Sequence, residues 1–325
     1  MAMALQLSAA DRLPMIAPIT HVAGPVFLMM SLYCGTTLIL DEAFEVARTA
    51  ELLRSQQATF GGTGAPFITQ LLAYQRAHPQ LTPLLPLARA YLSGGAPKSP
   101  ILAREVKLEL KAPVLSSYGM TEAPMLTFNR FDDDDVALAT TEGRVGPDVD
   151  LILVKSEGAR AAPGEEGELR VKAPQMMKGY LNAALNVEAF DADGYFRTGD
   201  LGRLDQRGNV AITGRLKDII IRNMENISAK EVEDLLITLP GLTDVAVVAM
   251  PDPVLGERVC AFVESDGDLR LEDIVQFLRE HSVASYKLPE RLEQRLALPR
   301  NSAGKLRKDL MRAEVAALIE AGKAS

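Results

Sequence analysis

The sequence predicts an α/β protein with a parallel-sheet subdomain, a small antiparallel β-barrel and a separate α+β C-terminal domain. Three observations predict this order. Strand and helix patterns alternate over the first third, short strands separated by turns fill the middle, and a capped amphipathic helix opens the last third. The predicted bounds are residues 1–130 for the partial α/β subdomain, 131–214 for the barrel and 215–325 for the C-terminal domain.

The first third alternates between the two periodicities. Predicted strands cover residues 36–40, 58–60, 87–92 and 113–117, and predicted helices cover residues 43–53, 66–76 and 101–110. This alternation favours a parallel sheet, and ligands bind such sheets beyond the carboxyl ends of the strands. Unusual residues fall at those ends, at positions 20–21, 93–95 and 117–119. We therefore expect a binding site at that edge of the sheet.

An apolar run near the N-terminus resembles a membrane span by hydropathy alone. Between Arg12 and Asp41 the only ionisable side chains belong to one histidine, one tyrosine and one cysteine. Three prolines and two glycines break the run, which favours strand, turn, helix and strand inside a core. We predict no integral membrane segment and no signal peptide, and hence a cytoplasmic location.

The middle and last thirds contain shorter signals. Predicted strands cover residues 149–154, 168–172 and 209–213 in the middle, with a hairpin turn at 205–208, and residues 244–250 and 258–264 in the last third. The acidic run 132–135 is interpreted as a solvated loop rather than a metal site. Ser228 and Glu231 predict a capping box for a helix, a second helix covers 271–278, and a final helix is predicted to start near Lys305.

Composition excludes several classes of function. The net charge of −8 argues against nucleic acid as the main partner. Cys34 and Cys260 lie in apolar surroundings and are predicted to be reduced core thiols. With three histidines and no Cys-x-x-Cys pattern, the sequence does not predict a zinc centre.

The stretch from Tyr118 to Glu122 combines four chemical groups that can each hold part of a nucleotide. The Tyr118 ring can stack on a base, and Gly119 allows the backbone to approach a ligand closely. The Thr121 hydroxyl can bond a phosphate oxygen, and the Glu122 carboxylate can hold Mg²⁺. An ordinary turn after a strand is the alternative for this motif alone.

Three later segments complete the pattern. Asp200, after Thr198 and Gly199, is placed to accept both hydroxyls of a ribose, with a turn aspartate as the alternative. Residues 214–218 form a charged connection that could serve as a hinge. Lys305, behind a short polar loop, can project toward an anionic ligand, with an ordinary surface lysine as the alternative.

In this order, the motifs resemble the adenylate-forming superfamily, which includes AMP-forming acyl-CoA synthetases, luciferases and peptide-synthetase adenylation domains. The resemblance covers residues 18–312. It implies ATP, AMP, Mg²⁺ and CoA as ligands, a carboxylic acid as substrate, and a C-terminal domain that acts as a mobile lid.

The resemblance also implies a role for each matching residue. Adenine would lie against Gly94, Gly95, Ala96, Tyr118 and Gly119. Thr121 would contact the α-phosphate, Glu122 the Mg²⁺, and Asp200 the ribose, with Arg215 beside it. Lys217 would be the hinge, Lys305 the catalytic lysine of adenylation, and His21 a neighbour of the acyl pocket, unless it is a packed core histidine.

Two segments depart from the family pattern. The phosphate loop that ends in Pro-Lys-Gly is missing, and the superficially similar residues 59–66 contain no lysine and are interpreted as a structural turn. The chain is therefore expected to lack the first subdomain of a synthetase. Asn223 and Met224 replace two glycines that would line the thiol channel, which bears on the thioester step more than on adenylation.

The sequence therefore predicts an AMP-forming carboxylate–CoA ligase of fatty-acid or related acid metabolism. An adenylate-binding fragment without turnover and an adenylation enzyme that loads a carrier protein are the alternatives. The acid is not specified, although apolar residues near His21 favour an apolar acyl or aryl group. A homodimer is left open.

Overall fold

The computed structural model describes residues 1–16, 18–95, 98–223, 225–265, 267–301 and 304–323. Two predictions fall on residues outside these ranges: the adenine contact of Ala96 and the glycine replacement at Met224. The chain divides into two compact units, formed by Met1–Thr198 with Gly202–Ile212 and by Gly199–Leu201 with Thr213–Ser325. The boundary near residue 130 remains a prediction.

The first unit begins with the predicted alternation of strands and helices. Its strands up to Tyr118 are β1 (Arg12–Met15), β2 (Thr37–Leu40), β3 (Phe60–Gly61), β4 (Ala90–Gly94) and β5 (Val114–Tyr118). Its helices there are α1 (Ala23–Cys34), α2 (Val46–Ser55), α3 (Ala65–Ala77) and α4 (Pro100–Glu109). The elements predicted for this region are confirmed, with ends displaced by a few residues.

The main sheet of this unit is mixed. Strands β3, β4 and β5 pair in parallel, and the short antiparallel strands β6 (Thr127–Phe128) and β7 (Arg144–Val145) extend the order to β3-β4-β5-β6-β7. Strands β1 and β2 form a separate parallel pair. The register places Gly94 opposite Ser117, so the carboxyl ends of β4 and β5 lie side by side.

Apolar side chains from α3, α4 and the sheet form the core that holds these strand ends. Ile68, Leu71 and Val106 on the helices pack with Tyr91 and Val114 on the strands, and all five are buried. Burying one such side chain stabilises a fold by about 1.5–3 kcal/mol. The core thus fixes the edge at which the predicted binding residues lie.

The sheet formed by the next four strands is open, which corrects the predicted barrel. Strands β8 (Asp150–Val154), β9 (Gly167–Lys172), β10 (Phe196–Leu204) and β11 (Val210–Arg215) pair in the order β11-β10-β9-β8. Within the described ranges β8 and β11 stand at opposite edges and do not pair, so the sheet does not close. The predicted turn at 205–208 is confirmed, because the Asp205 carboxylate accepts the backbone N–H groups of Arg207 and Asn209.

Two ambiguous stretches now have a defined structure. The apolar run 12–41 folds as β1, α1 and β2, and none of the described helices is long and apolar enough to cross a membrane. The acidic run 132–135 is a loop over residues 132–134, as expected, and only its last residue, Asp135, is helical. Asp133 lies 2.7 Å from Arg144, and Asp134 accepts the N–H of Ala137 at the start of α5 (Asp135–Thr140). A carboxylate there stabilises the helix because it satisfies an unpaired N–H.

The second unit contains the predicted α+β elements. They are β12 (Ile219–Arg222), β13 (Glu225–Ser228), β14 (Leu242–Asp252), β15 (Gly256–Ser265) and β16 (Arg291–Arg295), with helices α7 (Ala229–Leu236), α8 (Leu271–Glu280) and α9 (Lys308–Lys323). The first helix of the unit follows the predicted cap, because Ser228 Oγ accepts the Glu231 N–H. Short helix α6 (Ala184–Ala189) belongs to the first unit.

The sheet of the second unit has apolar side chains on both faces. Its order is β13-β12-β15-β14, with β16 parallel to β15. One face packs on α7 and α8 through residues such as Val232 and Ile274, and the other packs on α9 through Met311. Cys260 is buried there, and burial raises the pKa of its thiol to about 12, so the thiol is protonated. Cys34 and Cys260 are both free thiols, but only Cys260 lies in the core as predicted, because Cys34 is half-buried.

Candidate functional site

The loop after β5 is held in place by sterics and backbone hydrogen bonds. Tyr118 is buried against Leu126 and Leu169, and its carbonyl accepts the Leu126 N–H at 2.8 Å. A Cβ atom at Gly119 would lie 2.5 Å from the Met125 nitrogen. Only glycine fits without a backbone shift, so this position is determined by the close packing of the loop on itself.

Thr121 and Glu122 follow at the outer side of this loop. The Thr121 side chain is exposed, whereas Glu122 is half-buried. Glu122 Oε1 accepts a hydrogen bond of 2.9 Å from the Tyr180 hydroxyl, and the Glu122 carbonyl accepts the Met177 N–H at 2.7 Å. The carboxylate predicted to hold Mg²⁺ is thus fixed both by its side chain and by its backbone.

The neighbouring strand ends carry two more predicted residues. Gly94 lies opposite Ser117, and a Cβ atom there would come within 3.0 Å of the Ser117 hydroxyl. Gly95 follows with φ of 73°, a left-handed conformation that favours glycine. Gly94, Gly95 and Tyr118 therefore come from adjacent strand ends, while their contact with adenine stays a prediction.

His21 lies in the turn that precedes α1. Its side chain is half-buried, and its Nδ1 accepts the Ala23 N–H at 3.3 Å. Because Nδ1 acts as an acceptor, any ring proton of the neutral form is on Nε2. The turn therefore orients the ring, and proximity to an acyl pocket remains a prediction.

Asp200 and Arg215 form an ion pair in the second unit. Asp200 lies within β10 rather than in a turn, and it is 2% exposed. Its Oδ1 is 2.7 Å from Nε of Arg215, whose side chain is 51% exposed. The pairing places a guanidinium beside the carboxylate predicted to hold the ribose.

Lys305 lies in a tight turn rather than at the predicted helix start, because α9 begins at Lys308. The Lys305 N–H bonds the Asn301 side chain at 3.0 Å, and the Lys305 carbonyl accepts the Asn301 N–H at 2.9 Å. Burial lowers the pKa of the Lys305 ammonium, the charge of Arg215 lowers it further, and Asp200 opposes both. Three predicted residues of the second unit thus share one electrostatic environment.

The connection predicted as a hinge is exposed. Lys217 lies in the short turn Leu216–Asp218, and the next residue, Asp218, pairs with Arg312 of α9 at 3.0 Å. The hinge role of Lys217 stays a prediction. Asn223 opens the turn between β12 and β13 with φ of 49°, a conformation that asparagine and glycine adopt most readily. Asn223 therefore adopts a backbone conformation that suits glycine, so the turn tolerates this one of the two replacements.

The donor set around Glu122 suits Mg²⁺. Mg²⁺ prefers hard oxygen ligands, and nucleotide enzymes often hold it with one or two carboxylates plus the substrate phosphates. No group of three or more His, Cys, Asp and Glu residues that could cage a metal occurs among the described residues. A single oriented carboxylate next to Thr121, the residue predicted to contact a phosphate, would suit a cation that arrives with a nucleotide.

Sequence reasoning missed the residues that hold the loop. Tyr180 and Gln175 follow strand β9, and Gln175 Nε2 donates to the carbonyls of Pro124 and Met125 at 3.2 and 3.3 Å. The local sequence signal is weak: one aromatic residue after Gly179, in a stretch that also contains Met177 and Leu181. Nothing local links it to Glu122, which precedes it by 58 residues.

Comparison with known protein families gives two matches. The model of the AMP-binding enzymes matches residues 1–181, and the model of the AMP-binding enzyme C-terminal domain matches residues 231–305.

Individual proteins are similar over nearly the whole chain. Medium-chain fatty-acid–CoA ligase of Escherichia coli is 34% identical over 316 residues, and triostin synthetase I of Streptomyces triostinicus is 36% identical over 303 residues. These matches cover 96% and 92% of this chain, and 55% and 56% of the relatives. ATP-bound MatB from Rhodopseudomonas palustris superposes with a TM-score of 0.89 at 30% identity, over 96% of this chain and 62% of MatB. The chain thus spans little more than half the length of these relatives.

Proposed function

This chain belongs to the AMP-binding enzyme family, and from that premise we propose that it is an AMP-forming carboxylate–CoA ligase. In the proposed reaction a carboxylate attacks the α-phosphate of ATP, giving an acyl-adenylate and pyrophosphate. The thiol of CoA then attacks the acyl carbon, giving a thioester and AMP. The observation that supports this most is the environment that Lys305 shares with Asp200 and Arg215.

The first step brings two anions together. A cation near the reacting phosphate offsets their repulsion and stabilises the charge that develops in the transition state. Lys305 is suited to this task because burial removes part of its water shell, which strengthens its attraction to a phosphate. When bound on Glu122, Mg²⁺ supplies further neutralisation of the phosphates.

The nucleoside would be held by the remaining residues. Asp200 is buried and its carboxylate oxygens accept hydrogen bonds, so it is suited to the two ribose hydroxyls, with Arg215 orienting the carboxylate. Thr121 is exposed and can donate its hydroxyl to the α-phosphate. Gly94, Gly95, Ala96, Tyr118 and Gly119 are proposed to contact adenine.

The second step requires that Lys305 leave and that a thiol reach the acyl carbon. Rotation about one connection achieves both, and Lys217 is the proposed pivot. Similarity to the E. coli medium-chain ligase supports an apolar acyl group, with His21 near its pocket. A cytoplasmic location and a homodimer remain predictions.

Release of AMP that depends on both ATP and CoA tests this proposal. The full chain is assayed with a panel of aliphatic and aromatic acids, and pyrophosphate exchange is followed without CoA. Exchange with at least one acid, followed by thioester formation, is the expected result. If no acid supports either signal, the ligase proposal fails for this chain. Replacing CoA with a carrier protein distinguishes the two acceptors.

An adenylate-binding module without turnover is the second candidate. It is favoured by residues 59–66, which run from β3 through a turn into α3 and contain no lysine. Calorimetry with AMP, ATP and a non-hydrolysable acyl-adenylate mimic discriminates. Tight binding of the mimic without pyrophosphate exchange supports this candidate, and normal turnover refutes it.

A further inference from the structure

The Tyr180 phenol contacts Glu122, the carboxylate that the proposed function assigns to Mg²⁺. Its hydroxyl donates to Glu122 Oε1 at 2.9 Å. Hydrogen bonds to a carboxylate are short and strong, so one donor in a defined place restricts the rotation of the acceptor.

Tyr180 is itself held at both of its backbone polar groups by one side chain. Asn186 Oδ1 accepts the Tyr180 N–H at 2.7 Å, and Asn186 Nδ2 donates to the Tyr180 carbonyl at 3.3 Å. Gly179 leaves room for this amide, because a Cβ atom there would lie 3.1 Å from it, and φ of 148° favours glycine. The ring position is therefore determined by the backbone.

The same segment also holds the backbone of the Glu122 loop. Met177 donates its N–H to the Glu122 carbonyl at 2.7 Å, and Gln175 donates to the carbonyl of Pro124 at 3.2 Å. Backbone and side chain of Glu122 are thus fixed from one neighbouring segment, residues 175–186, which we call the brace. The brace follows β9 and includes the start of α6.

We propose that Tyr180 is a positioning residue that holds the Glu122 carboxylate in the orientation required for the nucleotide-bound Mg²⁺, with Asn186 holding Tyr180. The inference rests on the proposed function for the identity of the cation. The hold on Glu122 itself rests on the contacts alone. Tyr180 acts through Glu122 and is not assigned any contact with substrate.

Magnesium affinity measures the first part of this proposal. Mg²⁺ is titrated calorimetrically into the full chain saturated with ATP. Loss of a side chain that orients a metal ligand typically weakens metal affinity by 10–100-fold, and we expect Tyr180→Phe to weaken Mg²⁺ binding by about tenfold. Tyr195→Phe is the matched control, because Tyr195 is buried and donates its hydroxyl to Asp150 in the same unit. It is expected to leave Mg²⁺ affinity unchanged.

Hydrogen exchange without ligand measures the second part. Tyr180→Phe and Asn186→Ala are expected to increase amide exchange in peptides covering residues 119–126 and 175–180, while Tyr195→Phe leaves them unchanged. If amide exchange in both variants equals that of the wild type, the claim that the brace holds the Glu122 loop is overturned. Unchanged Mg²⁺ affinity in Tyr180→Phe, with affinity measurable in the wild type, overturns the positioning role. If the wild type binds no Mg²⁺ with ATP, the proposed function fails, and exchange alone decides the hold on Glu122.

Discussion

The two carboxylates at the centre of the proposed chemistry are held in different ways. Glu122, in the first unit, is fixed by a neutral phenol and by backbone hydrogen bonds from the brace. Asp200, in the second unit, is fixed by the guanidinium of Arg215, and Lys305 lies in the same field. Hydrogen bonds from uncharged donors depend less on salt than an ion pair with a half-exposed partner, which is screened. We call the residues that hold Glu122 the first set, and Asp200, Arg215 and Lys305 the second set. The first set is therefore positioned mainly by packing and backbone hydrogen bonds, and the second mainly by charge.

The largest difference between the two sets is expected on removing the charge of Lys305. Lys305→Ala should lower the rate of adenylation by about 10²–10³, because one electrostatic donor at a transition state is worth that much. AMP binding should fall little. Pyrophosphate exchange and AMP calorimetry measure the two quantities.

Lys217→Ala is the control for this variant, because Lys217 is an exposed lysine of the same unit. It should leave adenylation intact and slow only thioester formation. Equal loss of AMP binding and adenylation in Lys305→Ala would contradict the catalytic assignment. It would show that Lys305 contributes to nucleotide binding rather than to the chemical step.

The next largest effect is expected on stability, when a side chain is added at Gly119 in the loop that carries Glu122. Gly119→Ala should destabilise the protein by about 1–3 kcal/mol, because its Cβ must displace the backbone at Met125. Urea unfolding measures the loss. Gly267→Ala is the control, since a Cβ atom there meets nothing within 4 Å. A Gly119→Ala variant as stable as the control would show that shape does not determine the first set.

A smaller effect is expected at the ribose carboxylate. Asp200→Asn keeps the shape and removes the charge, and AMP affinity should fall by about tenfold, the loss of one charge-assisted hydrogen bond. Raising the salt concentration should weaken AMP binding more in Asp200→Asn than in the wild type, because the variant leaves the positive charges of Arg215 and Lys305 without their carboxylate beside the anionic nucleotide. Calorimetry at two ionic strengths measures both, and identical salt dependence would contradict the assignment of charge to this set.

The smallest expected effect is a shift in the pH profile. Because the pKa of Lys305 is lowered from 10.5, its charge is lost at a lower pH than that of an ordinary lysine. Adenylation should therefore decline as pH rises through this lowered pKa. Asp200→Asn should move the decline to lower pH, since Asp200 raises the pKa of Lys305.

Lys305→Arg is the control for the alkaline limb, because a guanidinium stays protonated over the measured range. The alkaline decline of adenylation should be absent in Lys305→Arg, whatever the absolute rate of that variant. A decline that persists unchanged in Lys305→Arg would assign the titration to another group.

Prediction from the sequence succeeded where the signal is local. The strands and helices of the first third, the Ser228 cap and the turn at 205–208 follow from periodicity and from residue types that satisfy backbone groups. Prediction failed for the barrel, because four strands with turns do not reveal whether the edge strands meet. Helix α9 was predicted to start near Lys305 and begins at Lys308, because hydrogen bonds with Asn301 keep Lys305 outside the helix.

The sequence by itself determined the family and the residues that match its motifs, because those motifs are short and contiguous. Only the tertiary structure decided how Glu122 and Asp200 are held. Tyr180 lies 58 residues from Glu122, and Arg215 reaches Asp200 across a hairpin. Partners so far apart meet only when strands pair and a core forms, and the energy of each contact depends on burial that no local pattern encodes.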